Sequence, residues 1–277
     1  MKNVAIQGGK ISFHDIAANA YFKDEDIHVI ECKNFRSVAE SLASGEADYG
    51  IMAVENTIAG SLLPNYGLIQ DFNLTVSGEI TLRIRMHLMA LAEQSIESLK
   101  RIESHPVALL QCQEFLLKYP HIYRREISDT ANGARRLKED RTADVGVIAS
   151  KAAADYYGLT VLAEEIETNQ MNFTRFLILS KQDKVLDTDV DKASMSFQLK
   201  SEVGSLSEVL TVFKLNNIDL TKIQSIPVLG KPFQYAFHVD MIYPKIENFK
   251  RAVETIRENV IDLRLFGTYA SGITIQT

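Results

Sequence analysis

Apolar and polar positions along the chain follow one pattern up to about Ser180 and another beyond it. Val4-Ala5-Ile6, directly after Met1-Lys2-Asn3, reads as a buried first strand, and Ile16 to Phe22 as the helix that follows a glycine loop. From Ala39 the chain reads A-x-x-L, then Ala47-Asp48-Tyr49-Gly50-Ile51-Met52-Ala53. From Ala134 it reads A-x-x-L again, then Ala143-Asp144-Val145-Gly146-Val147-Ile148-Ala149, with one residue inserted between the two parts. Each copy predicts an amphipathic helix, a short turn and a small-residue strand (Gly50 to Val54; Gly146 to Ala149) that ends at polar residues. Taken alone, A-D-x-G does no more than close a helix and open a buried strand. Recurrence of the whole unit about 95 residues apart predicts two similar α/β lobes. Ligands of open α/β sheets sit beyond the carboxyl ends of the strands, so two such lobes facing each other would form a cleft.

The pattern breaks between Ser180 and Lys192. Lys181-Gln182-Asp183-Lys184-Val185-Leu186-Asp187-Thr188-Asp189 is polar and charged and reads as a linker. Beyond it Met195, Phe197 and Leu199 alternate as a strand, and Leu206 to Leu215 has helical apolar spacing, opened by Gly204-Ser205 and stopped by Asn216-Asn217. Ile218 to Val228 and Tyr235 to Ile242 read as strands joined by a turn at Gly230-Lys231-Pro232. Phe249, Val253 and Ile256 form a helical stripe before a last strand, Ile261 to Tyr269. The order βαββαβ over about 80 residues predicts a ferredoxin-like module, with its helices on one face of an antiparallel sheet.

Composition narrows the function classes. At about 150 residues per domain, 277 residues agree with two domains. Hydrophobic residues at 46% and charged residues at 24% are ordinary soluble globular usage and exclude disorder, collagen-like fibre and coiled coil. Lys and Arg number 30 against 36 Asp and Glu, a net charge of −6 with no long basic cluster. Neither nucleic acid nor an anionic membrane is an expected partner, because both require a dense basic face. No apolar run forms a signal-peptide core or approaches the ~20 residues of a membrane-spanning helix. Cys32 and Cys112 lie far apart, which fits a reducing cytoplasm better than a disulfide framework. His14, His28, His87, His105, His121 and His238 are scattered without metal-ligand spacing, so a metalloenzyme is not expected.

Three stretches before the linker carry candidate chemistry for an anionic small molecule. Gln7-Gly8-Gly9-Lys10-Ile11-Ser12-Phe13-His14-Asp15 joins the first strand to a helix whose unpaired N–H groups could receive an anion. It equally fits a plain strand-helix loop, with His14 a loop or capping side chain. Ser104-His105-Pro106 opens a helix through Leu117, with Ser as N-cap and Pro in the first turn. That does not account for Gln111, a polar side chain among Leu109, Leu110, Cys112 and Phe115 that needs partners if buried. Glu55-Asn56-Thr57-Ile58-Ala59-Gly60 and Asn172-Phe173-Thr174-Arg175-Phe176 concentrate polar groups at strand ends. Arg175, leading into Leu177-Ile178-Leu179, suits a carboxylate, either of a ligand or of the protein.

Ser104 to Cys112 (SHPVALLQC), Glu55 to Gly60 (ENTIAG) and Asn172 to Phe176 (NFTRF), followed by a βαββαβ module, resemble the prephenate dehydratase family over essentially the whole chain and in the same order. The resemblance implies an α/β fold with a two-lobed catalytic domain like a periplasmic binding protein, residues 1–182, with the second lobe at about 78–160. It also implies a C-terminal ACT regulatory domain, residues 193–277. The implied reaction is the decarboxylating dehydration of prephenate to phenylpyruvate in phenylalanine biosynthesis, by a carbon-oxygen lyase without cofactor. Thr174 matches the catalytic threonine, and Glu55, Asn56 and Gln111 match further catalytic positions. Arg175, Ser104, Thr130, Ser12 and Phe176 match substrate-binding ones. The glycine loop departs from the family, which usually has Pro and Gly where this chain has Lys10 and Ile11.

The resemblance further implies L-phenylalanine as effector at an ACT interface between subunits of a homodimer or homotetramer. Gly204, Ser205, Leu206, Gln224, Ser225 and Pro227 match that site, with Gln224 and Ile226 replacing the family's Glu and Arg. Arogenate, the amino analogue of prephenate, presents nearly the same groups, so arogenate dehydratase remains an alternative. A non-catalytic two-lobed binding protein and an amino-acid sensor are others. Neither explains why polar groups of both lobes converge on Thr174 and Arg175.

Overall fold

In the computed structural model the described residues are 1–181, 190–200, 202–228, 230–231 and 234–276. The expected linker, Lys181 apart, and Pro232 of the expected turn lie outside them. The chain runs β1 (Lys2–Gln7), α1 (Phe13–Tyr21), β2 (Ile27–Cys32), α2 (Phe35–Ser44), β3 (Tyr49–Asn56), β4 (Gly60–Ser61), α3 (Leu63–Asp71) and β5 (Thr75–Arg83). It continues through β6 (His87–Ala90), β7 (Arg101–Ser104), α4 (Pro106–Gln111), α5 (Gln113–Leu117), β8 (Tyr123–Glu126), α6 (Thr130–Asp140), β9 (Val145–Ala149), α7 (Lys151–Tyr157), β10 (Thr160–Ala163) and β11 (Phe173–Ser180). The last part is β12 (Lys192–Leu199), α8 (Ser205–Leu215), β13 (Asp219–Pro227), β14 (Tyr235–Ile242), α9 (Ile246–Arg257), β15 (Val260–Tyr269) and β16 (Ile273–Gln276). Among the described residues no helix is long and apolar enough to cross a membrane.

One sheet has the order β16-β5-β11-β3-β1-β2 with β4 paired to β3, and a second has the order β10-β6-β9-β7-β8. Both contain parallel pairs: β1 with β2 and β3, β7 with β8 and β9. The repeated sequence unit is α2-β3 in one lobe and α6-β9 in the other. Its glycines have the same packing reason in both. A Cβ on Gly50 would lie 2.8 Å from Leu42 Cδ1, and one on Gly146 would lie 2.8 Å from Leu99 Cδ1 and 2.9 Å from Leu88 Cδ1. Only a residue without a side chain lets the neighbouring leucines close over these strands. One compact unit holds both lobes, from Met1–Asn65, Ile80–Phe176 and the end of β16.

The second compact unit comprises Tyr66–Glu79 and Leu177–Ile273. Its sheet, in the order β13-β14-β12-β15, carries α8 and α9 in the expected βαββαβ succession. Met195, Phe197, Val239 and Met241 alternate onto the helix side, where they pack with Phe213, Phe249 and Ile256. Ser194, Ser196, His238 and Asp240 occupy the intervening positions and are also buried. Ser194 Oγ donates to Asp240 and lies 2.6 Å from Tyr269 Oη. The Tyr66 ring packs 5.2 Å from His238, with Lys222 Nζ 5.4 Å from its centroid. Glu79 accepts from Lys192 Nζ at 2.7 Å and from the Gly272 N–H at 3.0 Å. An internal segment, Tyr66–Glu79, thus packs with the C-terminal module in this unit.

Candidate active site

Three amides from distant parts of the chain meet between the lobes. Asn56 closes β3, Gln111 closes α4, and Asn172 immediately precedes β11. The Asn56 amide has one permitted orientation, because its Oδ1 accepts the Ile58 and Ala59 N–H groups at 3.0 and 2.8 Å. Its Nδ2 consequently points to Asn172 Oδ1 at 2.8 Å and to Thr174 Oγ1 at 2.9 Å. Gln111 Nε2 donates to Asn56 Oδ1 at 3.2 Å, and Asn172 Nδ2 donates back to Gln111 Oε1 at 3.1 Å. Thr174 Oγ1 thus accepts from Asn56, which leaves its own O–H to donate elsewhere.

That hydroxyl borders a cavity of 560 Å³ lined also by Ser12, His14, Phe35, Asn56, Gln111, Thr130 and Phe176, among others. Ser12 caps α1, its Oγ accepting the Asp15 N–H at 3.2 Å, so the expected helix start moves forward to Phe13. Thr130 is the first residue of α6 behind the cap Asp129. Asp129 accepts N–H groups from Ala131 and Asn132 of its own lobe and from Gly9 of the other. Burial nonetheless raises its carboxyl above the usual range. Gly8, at φ +94°, lies under this carboxylate, where a Cβ would come within 3.3 Å of Asp129 Oδ2. The His14 ring is edge-on to Phe176 at 5.0 Å and tilted to Phe35 at 5.4 Å. Burial lowers the His14 pKa to about 3, so its imidazole is neutral.

Other expected site residues are not among those that line this cavity. Arg175 lies between Thr174 and Phe176 on β11, and with the two-residue period of a strand it does not share their lining position. Its Nη1 lies 3.9 Å from Glu55 Oε2, and Glu55 is likewise absent from the lining. Ser104 is fully buried at the end of β7 and donates to Ile148 O at 2.7 Å. It does not cap the following helix; His105 does, with Nδ1 accepting the Val107 N–H at 3.3 Å. That helix also breaks at Cys112, giving α4 and α5 instead of one run to Leu117. Sequence reasoning gave no role to Asn172 or Asp129 and took His14 for a loop or capping side chain, although Asn172 and His14 each stood inside a stretch it singled out.

In the C-terminal module Gly204, at φ +91°, caps α8, and Ser205 Oγ donates to Glu202 O at 2.6 Å. Leu206 follows in the first turn. Gln224, Ser225 and Pro227 lie on β13, with Gln224 Nε2 donating to Ser225 O of its own strand at 3.0 Å.

Fold and site define a two-lobed α/β cleft protein with a second, βαββαβ unit. The chain belongs to the prephenate dehydratase family, whose model matches residues 4–184. A bifunctional chorismate mutase/prephenate dehydratase of Aquifex aeolicus is 35% identical over 98% of this chain and 74% of its own length. Arogenate dehydratase 2 of Petunia hybrida is 34% identical over 97% of this chain and 71% of its own. Among solved structures, a prephenate dehydratase from Arthrobacter aurescens in complex with L-Phe superposes with a TM-score of 0.85, at 27% identity, covering 97% of this chain and 89% of that one.

Proposed function

We propose that the chain catalyses the decarboxylating dehydration of prephenate to phenylpyruvate. The bond from the ring to its carboxylate breaks and releases carbon dioxide, and the electron pair enters the ring. The ring hydroxyl leaves as hydroxide, takes up one proton and becomes water. Aromatisation drives the reaction, so the protein has to orient the substrate and assist the leaving oxygen. The observation that carries this reading is the Thr174 hydroxyl, held as an acceptor by Asn56 Nδ2 at 2.9 Å and free to donate into the cavity. A hydroxyl of ordinary acidity serves here as hydrogen-bond donor or proton conduit, help typically worth about 10² to 10⁴ in rate. Gln111 and Asn172 fix Asn56, and the Arg175–Glu55 pair stands behind the same strand end.

Mixing the purified protein with prephenate and following the ultraviolet absorption of phenylpyruvate tests the activity. Arogenate is the comparison substrate, given the Petunia relative's name. Thr174→Ala should lose about a hundredfold or more in turnover while binding substrate within about tenfold, because an interaction made in the transition state lowers the rate constant more than affinity. A variant retaining more than half of wild-type turnover would overturn the role of Thr174.

The C-terminal module, on this reading, is an ACT domain that binds L-phenylalanine through Gly204, Ser205, Leu206, Gln224, Ser225 and Pro227 between subunits of a homodimer or homotetramer. The protein would work in the cytoplasm. The βαββαβ succession and the relative in complex with L-Phe support the ACT assignment.

A further inference from the structure

The cavity presents a polar element and an aromatic one at a fixed spacing on the same strand. Thr174 and Phe176 both line it and are two residues apart on β11, about 6.6 Å along a strand. Beside Phe176 stands His14, with ring centroids 5.0 Å apart and planes at 86°, and beyond His14 stands Phe35 at 5.4 Å. His14 Nε2 is buried without a hydrogen-bond partner. Nε2, which bonds nothing and is closed to solvent, gives the imidazole no polar task on that side, whereas its planar ring lines the cavity and packs against two phenyl rings.

We propose that His14, with Phe35 and Phe176, forms the seat for the substrate's six-membered ring, and that the imidazole acts there as a neutral aromatic surface and not as a base. This rests on the activity proposed above. A ring seated against Phe176 brings the hydroxyl at its far end towards Thr174, because a substituted six-membered ring is about as long as the two-residue spacing of the strand. During the reaction a cyclohexadiene with two saturated ring carbons becomes a fully conjugated aromatic ring. Edge-to-face and offset contacts with the three side chains strengthen as the π-system forms, so the seat favours the transition state over the ground state. Burial, which keeps His14 uncharged across the working pH range, is consistent with that role.

Three variants and two readouts test it. His14→Phe keeps a planar ring and removes the unpartnered nitrogen; it should retain kcat/KM within about threefold, with an unaltered pH profile between about pH 5 and 8. His14→Leu fills similar space without a π-face and should lose about tenfold or more in kcat/KM, with His14→Ala falling further. Calorimetric binding of phenylpyruvate, the flat product, should weaken in the Leu variant and persist in the Phe variant. A Phe variant as impaired as the Leu variant would mean that the nitrogen itself acts, and would overturn the proposal. So would a Leu variant indistinguishable from wild type in both turnover and phenylpyruvate binding. Absence of prephenate turnover in the wild type would overturn the activity instead, and the binding comparison would still decide the ring seat.

Discussion

At the scale of single residues, the candidate site fixes the direction of one hydroxyl. Thr174 Oγ1 accepts from Asn56 Nδ2, whose own oxygen is taken by two backbone N–H groups, so the Thr174 proton is left to donate elsewhere. Asn56→Asp replaces the donor by an acceptor of nearly the same shape. The Thr174 proton should then turn towards the new carboxylate, and turnover should fall about a hundredfold or more with a smaller change in substrate binding. Steady-state kinetics on a variant of unchanged circular dichroism measures this; wild-type turnover in the Asp variant would contradict it. Two histidines, the buried His238 and the partly buried His14, also predict a pH dependence of stability. Burial lowers His14 to about 3 and His238 to about 4, against an ordinary value of 6.5. Below 6.5 the unfolded chain takes up protons that the folded chain refuses, so stability is complete above 6.5 and is lost as pH falls towards those folded values. The urea midpoint should drop between about pH 7 and 5, and His14→Phe should flatten part of that slope. A midpoint independent of pH in this window would show that both imidazoles protonate freely in the fold.

At the scale of elements, helix caps and strand alternation sort the residues that resemble family positions into those on the cavity and those beside it. Ser12 and Thr130 reach it because each stands at the start of a helix that opens onto it. Ser104 is one residue too early, on the last position of β7, and spends its hydroxyl on Ile148. In the C-terminal module the same reasoning bears on feedback. Gly204 supplies the left-handed turn into α8, whereas Gln224 folds back on its own strand. Gln224 and Ile226 offer no charge pair to tie a loop in a ligand-bound arrangement, and a ligand shifts two conformations only by its differential affinity for them. Phenylalanine should therefore bind and inhibit weakly, and the double variant Gln224→Glu, Ile226→Arg should lower the inhibitory concentration. Titration calorimetry with phenylalanine decides: no heat and no inhibition at millimolar ligand would leave the module structural.

At the scale of the whole molecule, the C-terminal unit includes a segment from within the stretch that matches the family model. Glu79 and Lys192, both buried and 113 positions apart, join the two parts of that unit at 2.7 Å. Removing one member of a buried pair strands the other's charge, at a cost of about 3–5 kcal/mol, whereas replacing both by apolar residues is often neutral. Lys192→Met should accordingly destabilise the chain by about that much, and Glu79→Leu with Lys192→Met should recover most of it. Urea unfolding of the single and double variants gives the cycle; equal stability of all variants would show that the pair carries no structural weight.

The sequence by itself determined what depends on neighbours along the chain. The two α/β lobes were legible in the recurring helix-strand unit, whose glycines the packing requires. The βαββαβ order was legible in the change of hydrophobic period. The polar clusters at Glu55–Gly60, Ser104–Gln111 and Asn172–Phe176 marked where ligand chemistry would gather. Only the tertiary structure decided which of those polar groups face the cavity, because a hydrogen bond is directional and its partner here lies far away in sequence. Asn56 meets Gln111 across 55 positions and Asn172 across 116. The same holds for Arg175, which meets Glu55 across 120 positions, and for Tyr66–Glu79, whose place in the second unit rests on partners more than 100 residues further on. Local periodicity encodes which face of an element is apolar; it carries no information about which buried polar atoms will find one another once the elements pack.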